Sequence, residues 1–354
     1  MNIEEIAKRA NVSKAAVSLA LNNRPGVGPD TRRRIMDIVK ESGYKHRSMV
    51  DPKPALAGDL EDKLIRVVGC IKPDTVSHQY QSSSFFTEVL RIIEKNARKL
   101  GYATVFSSLD EGTNIEELQK LEATHPSSGI ILLGTNLLPT EVVQVVEKYP
   151  RCVILDTIFE HLDADFVVMD NFMGGYSAAR YLVEELGYRN IGYAEAGERI
   201  ANFRYRKLGF YAACEHFKCT ISPQNIFSLA SDIGESRQKF KQLVEGRKEL
   251  PPAIFCECDY MAIGVIQALN EAGLRVPDDV SVIGFDDVPE AAIVSPPLTT
   301  ISVPRHKMGE LAVQHLIQMK NQATPHYVKT LINTSIIHRL SCKPNNGSAV
   351  ENRS

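Results

Sequence analysis

The first residues whose types and spacing could do chemistry lie in the stretch Asn11 to Asn23, NVSKAAVSLALNN. On a helix starting after Ser13, Lys14, Ala15, Ser18 and Leu19 share one stripe, because positions three and four apart lie on one face. A small, weakly charged stripe on a short helix, with basic residues nearby, suits the floor of a DNA major groove. A plain helical hairpin in an all-α domain would read the same way, so this stretch alone leaves both open.

The elements that must hold this stripe are legible on either side. Ser13 is a good N-cap, and Val12 and Val17 then stand at N′ and N4, the spacing of a hydrophobic staple. Before it, IEEIAKRA (Ile3 to Ala10) forms helix, with Asn2 as cap and Glu5 closing a capping box. Val17, Ala20 and Leu21 can pack back onto Ile6 and Ala10. A third helix follows Gly28, with Pro29 at N1, Ile35, Ile38 and Val39 on its buried face, and Gly43 ending it. Three helices in so short a span make a small head.

Charge agrees with a head that meets an acidic partner. Met1 to Gly58 carries an excess of Lys and Arg, clustered at Arg32-Arg33-Arg34 and Lys45 to Arg47, whereas the chain as a whole has net charge −2. A basic head on an acidic body fits nucleic acid at one end and something neutral at the other, although a solvated basic face is the plainer explanation. At 354 residues, 44% of them hydrophobic, the chain has room for two or three domains. No apolar run is long enough to span a bilayer, and the N-terminus enters charged helix without a signal peptide's apolar core, so a cytoplasmic location is expected.

Catalytic and metal chemistry find little support. No G-x-G-x-x-G follows a strand, and neither a Walker A lysine motif nor a G-x-S-x-G elbow is present. The nine histidines lack the spacing of a metal set, and of the seven cysteines only Cys256 and Cys258 are close. All seven read as reduced thiols. Neither an enzyme nor a cofactor or metal site is expected.

From Leu64 onwards strands and helices alternate. IRVVGCIK, YATVFSS, GIILLG, RCVILD and FVVMD form one set of strands; NIGYAEA, AIFCEC and VSVIGFDD belong to a second. Unbroken β-branched runs between amphipathic helices mean parallel sheets covered on both faces. The expected fold is a small all-α helix-turn-helix head followed by an α/β core of two doubly wound parallel-sheet lobes. A ligand would sit at the carboxyl ends of the strands.

Taken together, IEEIAKRANVSKAAVSLALNN, VGPDTRRRI and ESGY resemble the head of the lactose-repressor (LacI) family of bacterial transcription regulators. Ala7, Ala10, Val12, Ser13, Val17 and Ser18 match its motif. MDNFMGGYSAARYL and YMAIGVIQALNEAGLRVPDDVSVIGFDD followed by PPLTTISV resemble its periplasmic-binding-protein-like core. The resemblance implies a homodimeric regulator, a repressor by expectation, on a near-palindromic double-stranded operator, controlled by a small carbohydrate-like effector between the lobes. A solute-binding receptor of the same core fold, or a regulator controlled by a protein partner, are the alternatives.

By the same resemblance Lys14, Ala15 and Leu19 read base edges, and Ser13, Ser18, Asn22 and Thr31 contact phosphates. In the connector Tyr44 to Lys63, the family's hinge helix and minor-groove leucine would fall near Pro52 and Pro54, which break helices. Leu56 remains a candidate wedge on a displaced short hinge helix; a flexible linker is equally consistent. The resemblance further places effector contacts at Phe85, Phe86, Asp156, Arg206, Asp259 and Asp286, while Asp259 could instead cap its helix and Phe86 could be core. Cys258 stands where the family has asparagine, and Ile233 where an aromatic ring stacks on sugar. The loop Pro73 to Ser84 brings His78, Gln79, Tyr80 and Gln81 near the cleft mouth.

The expected organisation is a DNA-binding head at 1–46, a linker or atypical hinge at 47–63, and a core at 64–342. Its first lobe would take 64–171 and 303–327, its second 172–302 and 328–342, and 343–354 would be a disordered tail.

Overall fold

A computed structural model of the chain describes residues 3–21, 26–42, 63–71, 84–110, 115–247, 249–320 and 326–345. The chain divides into two compact units, Met1–Asp62 and Lys63–Ser354. Asn2, Asn22, Gly43, the connector with Leu56, and the loop positions His78 to Gln81 lie outside the described residues.

The first unit has α1 (Ile3–Ala10), α2 (Lys14–Leu21) and α3 (Pro29–Ser42). Helix α1 stops at Asn11, whose φ of 51° turns the chain left-handed. The Asn11 N–H then reaches Lys8 O at 3.2 Å and the Val12 N–H reaches Ala7 O at 3.0 Å, which satisfies carbonyls that the helix end would otherwise leave bare. Ser13 caps α2 by accepting from the Ala16 N–H at 3.1 Å. Ile6, Ala10, Val17, Ala20, Leu21, Ile35 and Val39 are buried together as the core of the head, with Val12, Val27 and Ile38 packed around them.

The second unit is built from two six-stranded sheets. Strands β1 (Leu64–Ile71), β2 (Ala103–Asp110), β3 (Gly129–Leu133), β4 (Cys152–Leu155), β5 (Asp165–Met169) and β11 (Lys329–Ile332) form one, in the order β2-β1-β3-β4-β5-β11, all parallel. Strands β6 (Gly192–Ala196), β7 (Ile226–Leu229), β8 (Ala253–Cys256), β9 (Ser281–Asp286), β10 (Thr299–Ser302) and β12 (Ser335–Ile337) form the other, in the order β7-β6-β8-β9-β10-β12. Every residue of β3, β4, β5 and β8 is buried, as expected of strands covered on both faces.

Helices α4 (Ser84–Lys99), α5 (Ile115–Thr124), α6 (Pro139–Lys148) and α12 (Arg305–Met319) belong with the first sheet, and α12 packs along α4. Helices α7 (Asn171–Arg180), α8 (Ala201–His216), α9 (Ile233–Val244), α10 (Asp259–Glu271) and α11 (Pro289–Ile293) belong with the second. In each sheet the first strand lies one place in from the edge and the order reverses beside it, the switch point where doubly wound sheets open a crevice.

Three expectations from the sequence need correction. Strand β11 does not join the second lobe: Lys329 to Ile332 pair with Phe166 to Met169 in the first sheet, and the final crossing falls at residues 333–334. Nor is the second sheet wholly parallel, since β12 runs antiparallel to β10. The tail does not begin at Lys343. Tyr188 donates to Lys343 O at 3.0 Å, and the Asn345 N–H reaches Leu186 O at 2.7 Å, so residues 343–345 are held against the second lobe. Among the described residues, no helix is long and apolar enough to cross a membrane.

Candidate functional site

On the head, Lys14, Ala15 and Ser18 are exposed along α2, and Leu19 is half-buried beside Gly26. Lys14 is not idle: its ammonium pairs with the Glu4 carboxylate on α1, and this contact holds Glu4 below its ordinary range. Ser13 uses its hydroxyl as the α2 cap. Thr31 lies half-buried in the first turn of α3, where Arg32 donates to Ala20 O at 3.4 Å.

In the core a cleft opens at the carboxyl ends of both sheets. Strand ends supply its polar groups: Thr135 follows β3, Asp156 follows β4, and Asp286 closes β9. The starts of two helices add Phe85 and Phe86 from α4, and Asn202, Phe203 and Arg206 from α8. The spacing of these α8 residues, three and four apart, puts them on one helix face. Phe85 and Phe86 meet edge to face with centroids 5.0 Å apart, each 8% exposed, so both serve the first lobe's core as well as the cleft wall.

Arg206 is the hub. Only 3% exposed, it donates from Nε to Asn171 Oδ1 at 2.9 Å, from Nη1 to Glu257 O at 2.6 Å, and from Nη2 to Asp286 Oδ1 at 2.9 Å. Its guanidinium also lies 3.7 Å from the Phe285 ring centroid. A buried charge needs such saturation, because an unpaired one would be costly. From Asn171 the chain of bonds continues: Asn171 Nδ2 donates to Asn202 Oδ1 at 3.1 Å, and Asn202 Nδ2 donates to Asp156 O at 3.0 Å. The Thr135 hydroxyl donates to the Asp156 carboxylate. One polar relay therefore runs from Asp286 on the second sheet to Asp156 on the first.

The two carboxylates differ in their surroundings. Burial pushes Asp156 up to about 7, partly offset by the Thr135 hydroxyl and the Arg206 charge. Asp286 is also raised by burial, against the pull of its Arg206 partner. Both sit in strained backbone, Asp156 at φ 68° and Asp286 at φ 116°, with Asp287 at 57° behind it. Non-glycine residues rarely occupy that region unless surrounding contacts hold them there. Here Arg305 donates to Asp286 O at 2.7 Å and to Asp287 O at 2.9 Å. Arg339 reaches Asp287 Oδ1 at 2.6 Å, and Ser302 reaches Oδ2 at 3.0 Å. Arg305 also pairs with Glu88 on α4 at 2.7 Å.

Asp259 has to be corrected as a cleft residue. Its carboxylate is fully buried and turned into the second sheet, accepting from the Val288 N–H at 2.9 Å and the Thr300 hydroxyl at 2.5 Å. Gly284 leaves it room, since a Cβ there would lie 2.2 Å from Asp259 Oδ1. It ties β10 and the β9–α11 turn together and is not a cap either: Cys258 holds the N-cap position of α10. Cys258 does line the cleft. Ile233, which replaces the family's stacking ring, packs on the second lobe's own core.

Several participants were not anticipated: Thr135, Asn171, Asn202, Phe203 and Tyr260. A signal existed for Asn202 and Phe203, which stand one helical turn before Arg206. Glu257 was missed as well. Fully buried, it accepts from the Tyr193 hydroxyl, the Ala196 N–H and Arg199, and so fixes the loop that leads into α8. Among the described residues no cluster of His, Cys, Asp and Glu has the makings of a metal site.

Comparison with known proteins gives matches over both units. Residues 2–46 match the family described as bacterial regulatory proteins, lacI family, and residues 179–342 match a periplasmic binding protein-like domain. The chain is 31% identical over 321 residues to the HTH-type transcriptional repressor PurR of Salmonella newport (strain SL254), covering 89% of each chain. Among solved structures it is similar to the lac repressor dimer bound to operator and the anti-inducer ONPF. There the TM-score is 0.69 at 21% identity, over 97% of this chain and 99% of that one. A LacI family regulator from Enterococcus faecium with bound ribose gives a TM-score of 0.67 at 23% identity, over 80% and 100% of the two chains.

Proposed function

The chain belongs to the LacI family of bacterial regulatory proteins, DNA-binding transcription regulators with a small-molecule effector, and from that premise we propose a residue-level reading of how it works. It acts as a repressor in the cytoplasm, without catalysis, each subunit of a homodimer setting its head (1–46) on one half of a near-palindromic operator. Lys14, Ala15 and Leu19 face base edges, Lys14 leaving Glu4 to donate to guanine, and Ser13, Ser18, Asn22 and Thr31 meet phosphates. In the core, a sugar or sugar-like effector lies among Phe85, Phe86, Asp156, Arg206 and Asp286.

The observation that carries this reading is the relay from Asp286 through Arg206, Asn171 and Asn202 to Asp156, which joins both sheets across the cleft. A ligand that inserts its hydroxyls into the relay favours one lobe arrangement. It can shift the DNA-binding equilibrium only by its differential affinity for the two.

The test begins with an operator selected in vitro from random duplexes, followed by fluorescence anisotropy at several salt concentrations. Affinity should fall steeply with salt. Lys14→Ala should weaken the selected site by about 5- to 100-fold and relax the preference at one base pair in each half. Binding indifferent to salt and to Lys14→Ala would reject the head assignment. A thermal-shift panel of sugars and nucleobases tests the cleft, and Arg206→Ala should abolish any stabilisation found.

A further inference from the structure

Helix α8 carries the hub of the cleft near its start and a pair of cysteines at its end. There Lys218 takes a left-handed φ of 55°. Its N–H reaches Glu215 O at 3.3 Å, and the Cys219 N–H reaches back to Cys214 O at 2.9 Å. This double bond pattern is the Schellman ending, which brings together the side chains just after and four places before the left-handed residue. Those two residues are Cys214 and Cys219, both buried in the same core cluster. The helix ending therefore brings two free thiols together from residues five apart in the chain.

The two are chemically unequal. Interaction with Cys214 and the nearby Arg189 guanidinium hold Cys219 below the ordinary thiol range, whereas Cys214 is held above it. Burial instead pushes Cys152, Cys256, Cys258 and Cys342 up, which suppresses their thiolates. The thiolate is the nucleophile, so reactivity follows this division. Both sulfurs are mostly covered, at 5% and 9% exposure for their residues, but Glu215, His216, Lys218 and Thr220 around them are exposed. Opening the end of a helix costs less than opening the middle of a sheet.

We propose that Cys219 and Cys214 form a site of reversible oxidation by hydroperoxides. The Cys219 thiolate attacks one oxygen of hydrogen peroxide. An S–O bond forms, the O–O bond breaks, and the hydroxide released takes up a proton as water. Cys214 sulfur then attacks the Cys219 sulfenic acid; the S–S bond forms, the S–O bond breaks, and hydroxide leaves as water with the Cys214 proton. The two thiols lose two electrons and one peroxide gains them. The product is a covalent clasp across the end of the helix that bears Asn202, Phe203 and Arg206.

The experiment uses the full-length reduced protein and hydrogen peroxide at stoichiometric to tenfold excess. Trypsin cuts after Lys218, so the two cysteines fall on separate peptides and a disulfide between them appears as a linked pair. The expected result is that linked pair as the first product, lost on adding dithiothreitol. In Cys214→Ser, Cys219 should be trapped as its sulfenic acid by dimedone, while Cys219→Ser should leave Cys214 unlabelled. Intact Cys214 and Cys219 while other cysteines oxidise, or a first disulfide between another pair, would overturn the proposal. The wild-type map decides this even if a variant fails to fold.

Discussion

Asp156 concentrates the residue-scale chemistry of the cleft. Its backbone sits at φ 68°, and its carboxyl is raised to about 7 by burial, because water that would solvate the anion is excluded. A folded-state value above the ordinary 3.8 means that the protonated form is the one folding favours. That stability is complete below the ordinary carboxylate range and is lost as pH rises towards 7. Asp156→Asn keeps an acceptor for Thr135 and removes the charge. The variant should therefore match the wild type only below about pH 4 and exceed it by about 1–3 kcal/mol at pH 8, read by urea denaturation at both pH values. An equal offset at both would mean that Asp156 does not titrate in this range.

At the scale of elements, the site depends on how closely α7 and α8 approach. A Cβ at Gly209 would lie 1.9 Å from Phe172 O, and one at Gly175 would lie 2.1 Å from Arg206 O. The two helices touch through backbone, which fixes Asn171 and Arg206 within hydrogen-bonding distance. Gly209→Ala cannot be absorbed by a side-chain rotation, so the helices must separate. The expected cost is about 2–4 kcal/mol in urea unfolding, with loss of any ligand-induced thermal shift. A variant as stable as the wild type would show that the crossing tolerates separation. This closeness was not legible in the sequence, since a glycine in a helical pattern does not announce what it faces.

At the scale of the whole core, Arg305 stands where α12 begins, just after the chain returns from the second sheet to the first. One side chain there bonds Glu88 beside the aromatic pair of α4 and the carbonyls of Asp286 and Asp287. It spans both lobes at a crossover, so it sets the geometry of the strained turn that presents Asp286 to Arg206. Arg305→Lys keeps the charge but not the planar fork. It should therefore speed hydrogen exchange at Val288 and in the first turn of α4, and weaken binding of the ligand found by thermal shift about tenfold. Unchanged exchange and affinity would reduce Arg305 to a surface ion pair.

Sequence alone determined what depends on near neighbours. The Ser13 cap, the helices of the head, the buried β-branched strands and the strand-end positions of Asp156 and Asp286 all follow from periodicity, capping and turn chemistry within a few residues. Tertiary structure decided what depends on which strands become neighbours. Asp259 faces Thr300 and not the cleft because β10 lies beside β9. Lys329 to Ile332 join the first sheet because β5 offers a free edge. The relay through Asn171 and Asn202 exists because two helices cross on glycine. Each of these joins residues far apart in the chain, and no local pattern encodes such a distance until the sheets are assembled.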